Sequence, residues 1–202
     1  MRNRKLQMLC EGAILVALAQ ILSMLKLWEM PWGGSITLGM LPIFLFAVRW
    51  GTRWGLVAGF AYGLLQVMFD GGFAISWQSI LGDYLVAFTV LGLGGMFRGK
   101  IKNDAVAFTL GAFVAMMLRF FCAFLSGWIL WADVVNDAPY MQEVIAAYIP
   151  ALSNLTGTTL AVVYSLVYNG VYMIPEIILT CVVGFLLVQF AGKQVLDKPK
   201  QA

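Results

Sequence analysis

"AVAFTLGAFVAMMLRFFCAFLSGWILW", residues 105–131, runs for twenty-seven residues with a single charge, Arg119. About 20 helical residues cross the hydrocarbon core of a bilayer, so this stretch reads as a membrane-crossing helix. The whole chain agrees with it. The 202 residues are 61% hydrophobic and 11% charged, with a mean hydropathy of +0.86. A soluble domain carries roughly 25% charged residues, so the chain reads as an integral membrane protein. Five further apolar stretches lie near residues 8–25, 36–48, 54–69, 76–97 and 158–191. The expected fold is an all-α bundle of six transmembrane helices, one membrane domain over residues 1–202. The second stretch is short and interrupted by Pro42, and broken helices at membrane depth are tolerated where they line protein or a cavity. The last is long enough to tilt, with Pro175 expected to kink it.

The loops orient the bundle. Arg2, Arg4, Lys5, Arg49, Arg53, Arg98, Lys100, Lys102, Lys193, Lys198 and Lys200 fall on one side of a six-helix arrangement, eleven of the thirteen basic residues. The other side holds Lys26 with Glu29, Asp70, Asp133, Asp137 and Glu143. The positive-inside rule then puts both termini in the cytoplasm. The net charge of +3 reflects these loops and not a nucleic-acid surface. Met1 to Lys5 leads into an apolar run without a small-residue cleavage site, so no signal peptide is expected. Cys10, Cys122 and Cys181 lack metal-ligand spacing and read as small buried apolar residues. The chain has no histidine, which removes the usual metal ligand and neutral-pH base. The long fifth connection, 132–157, contains "YMQEVIAAYIPAL", expected as a short helix over the bundle.

Two charges inside the spans ask for a reason. A carboxylate at the centre of a bilayer costs at least roughly 2.5–3.5 kcal/mol. Asp83, in "ILGDYLVAF", lies about 15 residues from the basic end of its span, a depth of roughly 22 Å at 1.5 Å per residue. Arg119 lies at about the same depth in the next span, which should run antiparallel beside it. The two are therefore expected to meet. As a pair they are either a structural ion pair or the border of an outward-facing pocket where Asp83 also meets a cationic ligand. Ser126, Gly127, Trp128 and Trp131 follow on one span; Tyr164, Tyr168 and Asn169 open the last. Aromatic faces attract organic cations by about 2 kcal/mol when desolvated, though aromatics also form interfacial belts. Glu176 either caps the Pro175 kink or faces a partner.

Four stretches, "PWGGSITLGMLPIF" at 31–44, "LGDYLVAFTVLGLGG" at 81–95, "LRFFCAFLSGWILW" at 118–131 and "YSLVYNGVYMIPE" at 164–176, carry a resemblance. In that order, and through nearly the whole chain, it resembles the thiamin-specific S components of energy-coupling factor transporters. The resemblance implies a six-helix binding subunit of the bacterial plasma membrane. Its outward pocket takes thiamin with high affinity, between the fourth to sixth helices and the first outer loop. The ligand is released inward in complex with a membrane coupling subunit and two ATP-binding-cassette ATPases, which use the ATP; no cofactor of its own is implied. By position, Asp83 matches an acid near the thiazolium and Tyr84 the tyrosine after it. Arg119 matches a basic position, and Gly127 and Trp131 a glycine and a stacking tryptophan. Tyr164 and Asn169 match residues around the aminopyrimidine, and Trp32 lies in the loop that closes over the ligand. Ala13 and Ala17 match small residues of the first helix on which the coupling subunit packs.

The chain departs from the family at Asp83, where Glu is frequent, and at Ala123 in "FFCAF", where a histidine is usual. Three other functions are weighed beside thiamin binding. The first keeps the class and changes the ligand to a thiamin precursor or another heteroaromatic cation. The second is an autonomous proton-coupled thiamin transporter, for which internal repeats would be expected and none is evident. An intramembrane enzyme is the weakest, for want of a histidine, a GxSxG elbow or a metal cluster.

Overall fold

The computed structural model describes residues 4–30, 33–69 and 76–196. Helix α1 spans Arg4–Met24, and a two-stranded hairpin follows, β1 (Trp28–Glu29) antiparallel to β2 (Ser35–Ile36) with Trp28 opposite Ile36. Helix α2 is Leu41–Trp50 and α3 is Thr52–Phe69. The fourth helical stretch, residues 77–95, changes its winding three times. It passes from α4 (Trp77–Ser79) through a π-helix (Ile80–Val86) and α5 (Ala87–Thr89) into a 3₁₀ segment (Val90–Gly95). Helix α6 is Asp104–Ile129; α7 (Ala132–Asp137) and α8 (Pro139–Tyr148) form the long connection, and α9 is Gly157–Leu196.

All six apolar stretches are thus wholly or partly helical, and α1, α6 and α9 are each long and apolar enough to cross a membrane. The second stretch differs from its expected form. Residues 36–40 belong to the hairpin and a turn, and Pro42 sits in the first turn of α2, where a missing N–H removes no helical hydrogen bond. Helix α9 runs unbroken through Pro175 for 40 residues, about 60 Å, twice the thickness of a hydrocarbon core.

The fourth stretch packs within the core. It lies between α3 and α6, and Gly92 approaches the backbone of Gly55 and Leu56 too closely for any side chain. Around it Phe44, Tyr62, Phe88, Leu91, Phe108 and Met116 close one apolar cluster. Phe44 meets Phe108 edge-on at 6.4 Å, and Tyr62 meets Phe88 at 5.1 Å. The outward faces are apolar as well, with Ile14, Phe60, Phe113, Ile178 and Phe190 all exposed. A chain solvated by lipid has no reason to hide them. The cysteines follow the same logic and are not buried as expected: Cys10 is exposed, and Cys122 and Cys181 are half-buried.

Buried polar contacts close the two ends. At the basic end, Arg49 pairs with Glu11 at 2.9 Å and donates to Val195 O at 2.7 Å, while Trp50 Nε1 donates to Glu11. Arg98 donates to Val48 O and Leu196 O, so guanidinium groups satisfy the last carbonyls of α2 and α9. At the hairpin end, the 132–157 connection folds on its own apolar cluster of Val135, Met141, Ile145 and Leu152 against Leu160 and Tyr164. Asn136 clamps its two ends by accepting from Gly157 N at 2.7 Å and donating to Ala132 O at 2.8 Å.

Candidate functional site

The site begins on α9. Tyr164, Tyr168 and Tyr172 recur every four residues and so share one helix face. Tyr164 stacks on Tyr168 at 5.3 Å, and Tyr168 meets Tyr172 edge-on at 6.1 Å. Each hydroxyl or amide nearby has a set direction. Tyr168 Oη donates to Gly33 O of the hairpin at 2.5 Å, and Tyr172 Oη donates to Asn169 Oδ1 at 2.9 Å. Asn169 Nδ2 donates to Ser165 O, and Ser165 Oγ crosses to Phe124 O of α6, both at 2.8 Å. Gly127 permits that crossing, since a methyl there would overlap Ser165 Oγ.

Facing this ladder, the π-helix presents Asp83. Ala87 N–H reaches back five residues to Gly82 O, the bond that defines the wider winding. Ser79 Oγ donates to Asp83 Oδ2 at 2.8 Å, with Ser126 and Trp131 beside the carboxylate. No basic side chain within the described residues pairs with Asp83. The expected Asp83–Arg119 pair is therefore not formed. Arg119 instead pairs with Glu176 at 3.3 Å, and its Cζ lies 4.6 Å above the Phe88 ring. Glu176, 2% exposed, uses its other oxygen to accept from Thr37 N at 3.2 Å and Thr37 Oγ1 at 3.0 Å. The depth estimate assumed α-helical rise from the basic end to Asp83, but that path is partly 3₁₀ and partly π, with different rise and rotation per residue.

These groups enclose one cavity of about 440 Å³. Of the residues singled out in the sequence, Asp83, Tyr84, Arg119, Gly127, Trp131, Tyr164 and Asn169 all line it. Trp32 lies outside the described residues. Ala13 and Ala17 are elsewhere, on the exposed face of α1. Sequence reasoning missed Tyr62, Gln66, Phe88 and Tyr172, which also line the cavity. The four-residue tyrosine period extended to Tyr172, and Gln66 is an amide in an apolar run; both were available signals. Ala123 forms part of the wall, next to an apolar cluster of Met30, Tyr172 and Met173. The wall is wider than the expected helices four to six plus loop, since α1 and α3 contribute Ser23 and Gln66.

The charges of the wall can be added. Arg119 offsets Glu176, and at the rim Lys26 offsets Glu29 at 2.6 Å. Asp83 remains. An aromatic-lined chamber with one unmatched carboxyl group is suited to a flat organic monocation, through both charge and ring faces. None of the described His, Cys, Asp or Glu residues cluster in a way that could hold a metal ion.

Comparison with known proteins places this arrangement. A solved structure of ThiT from Listeria monocytogenes superposes with a TM-score of 0.74, covering 96% of this chain and all of that one at 22% identity, a likeness of fold. The thiamine transporter ThiT of Lacticaseibacillus paracasei is 27% identical over 210 residues, covering 98% of this chain and 94% of that protein. The thiamine transporter ThiT of Bacillus subtilis is 33% identical over 195 residues, 95% of either chain. The family described as thiamine transporter protein matches residues 9–147. With that match and the near full-length relatives, the chain belongs to the thiamine transporter protein family.

Proposed function

We propose that this chain is the thiamin-binding subunit, the S component, of an energy-coupling factor transporter in the bacterial plasma membrane, with six spans and both termini inside. The observation that carries the reading is Asp83, an acid without a basic partner among the described residues, in an aromatic cavity. Thiamin joins a permanently cationic thiazolium to a flat aminopyrimidine, and the chamber offers one carboxyl group and several ring faces. Its volume of about 440 Å³ falls within the range of small-molecule sites, roughly 300–1,000 Å³. In this reading Asp83 meets the thiazolium, with Tyr84 beside it and Trp131 stacking on the ligand. Tyr164 and Asn169 surround the aminopyrimidine, Gly127 leaves room, and Trp32 covers the entrance. Arg119 shapes the wall through Glu176 and does not neutralise Asp83.

The exposed Ala13 and Ala17 on α1 offer small residues one turn apart to a coupling subunit in lipid. Two ATPases, bound to that subunit, supply the work. Ala123, a bare methyl on the cavity wall, favours as second reading a thiamin precursor or other heteroaromatic cation. Titration of the purified protein with thiamin and its two ring precursors, followed by tryptophan fluorescence, ranks these ligands. Uptake in vesicles with and without the coupling subunit and ATPases tests the assembly. Stoichiometric thiamin binding by the isolated chain, with uptake only in the full complex, is expected. Absence of binding, or uptake by the chain alone, overturns the reading.

A further inference from the structure

We propose that Glu176 is a positioning residue for the β1–β2 hairpin, holding it over the cavity through Thr37 and so governing how long a ligand stays bound. The two oxygens of Glu176 divide their work. Oε2 receives Arg119, while Oε1 receives both the backbone N–H and the hydroxyl of Thr37, the residue directly after β2. Thr37 is 5% exposed, and its Oγ1 in turn accepts from Gly39 N at 3.2 Å, fixing the turn into α2. Among the described residues the hairpin's other ties to the bundle include the packing of Ile36 on the Tyr172 and Met173 cluster and the close approach of Gly34 to the Tyr172 ring. Tyr168 Oη holds Gly33 O, and Met30 packs with Tyr172 and Met173. Its own ladder is two residues per strand, and such short ribbons are marginal in isolation.

A carboxylate shared between a guanidinium and two donors of one residue is a strong, directional anchor. Its place matters as much as its strength. Gly33, Gly34, Ser35 and Thr37 all line the cavity, so the hairpin is one of its walls. A ligand held behind that wall leaves when the wall opens, whereas the first encounter depends on rim charge. Loss of the anchor therefore raises the dissociation rate and leaves association nearly unchanged.

The kinetic half of this inference rests on the thiamin-binding reading; the anchoring half is tested without ligand. Hydrogen exchange on the purified full chain follows the amides of residues 27–37. In the wild type, Thr37 N–H must exchange no faster than Leu27 and Met30 N–H, which bond within the hairpin. Thr37→Val, which replaces the hydroxyl by a methyl and keeps the backbone N–H, is expected to speed exchange of that segment at least tenfold while α6 and α9 stay protected. It should raise thiamin dissociation about tenfold, with association within twofold, and Thr37→Ser should restore both. Faster exchange at Thr37 than at Met30 in the wild type, unchanged exchange in Thr37→Val, or failure of serine to rescue each overturns the anchor. Local exchange behaving as expected in a protein that binds no thiamin sinks the functional reading and leaves the anchor standing.

Discussion

Replacing Asp83 by asparagine removes a charge while keeping shape and an oxygen that can still accept from Ser79. A carboxylate and a ring cation about 4 Å apart attract by about 4 kcal/mol at an effective dielectric of about 20. Part of that is lost because both groups give up water on binding, leaving roughly 1.5–3 kcal/mol for a charged contact. The expected loss in thiamin affinity is therefore about 10- to 150-fold. A neutral analogue with a thiophene in place of the thiazolium closes a double cycle of protein and ligand charge. Wild type should prefer thiamin strongly, and Asp83→Asn should bind the two almost equally. Calorimetric titration of four combinations reads the coupling directly. The apo melting temperature supplies the control. Asp83 has no basic partner among the described residues, so asparagine should leave stability unchanged or raise it by relieving a buried carboxyl group. A coupling below about 0.5 kcal/mol in a folded mutant would refute the assignment of Asp83 to the ligand's charge.

Glu176→Gln strands Arg119 as a buried cation and should cost about 3–5 kcal/mol, read as a lowered melting temperature that Arg119→Gln in the same chain partly restores. Gly127→Ala drives a methyl into Ser165 Oγ at the α6–α9 contact; a loss of about 1–3 kcal/mol is expected by thermal unfolding in detergent. Ala13→Leu and Ala17→Leu lie on an exposed face, so melting and thiamin binding should hold while co-purification with the coupling subunit falls sharply. Asp137→Cys should react with an impermeant thiol reagent added outside whole cells, and labelling only from the inside reverses the proposed orientation.

The helices were legible because each is an apolar run bounded by charges or glycines, a signal that survives without knowledge of neighbours. The hairpin was not. Two-residue strands have no period to detect, and their pairing rests on Gly33 and Gly34 turning the chain and on tyrosines of α9 far away in sequence. Seven of the eight residues expected at the ligand line the cavity, the eighth, Trp32, lying outside the described residues, but the pairing of their charges was misread. Counting depth from loop ends assumes helices of uniform rise that end level with the membrane. Residues 77–95 break the first assumption. Arg119 pairs with Glu176, a carboxylate whose other oxygen accepts from Thr37, a contact between residues far apart in sequence that no depth count reveals.

The π-helix at Ile80–Val86 makes the aim of Asp83 a matter of chain length. Five-residue bonding fits one more residue into the turn than an α-helix does. Deleting a single residue between positions 84 and 86 would let the backbone rewind as plain α-helix with every remaining side chain intact. Because the wider winding already holds one extra residue, its loss would leave the helix before Ile80 facing nearly as it does now. The same deletion from a plain α-helix would rotate it by about 100°, one residue's share of a turn. Asp83, inside the wider winding, would turn part of the way, and Ser79, before it, hardly at all. The extra residue therefore sets the direction of one carboxylate within a helix whose two ends stay put, and alignments that gap residues 84–86 would misplace that acid.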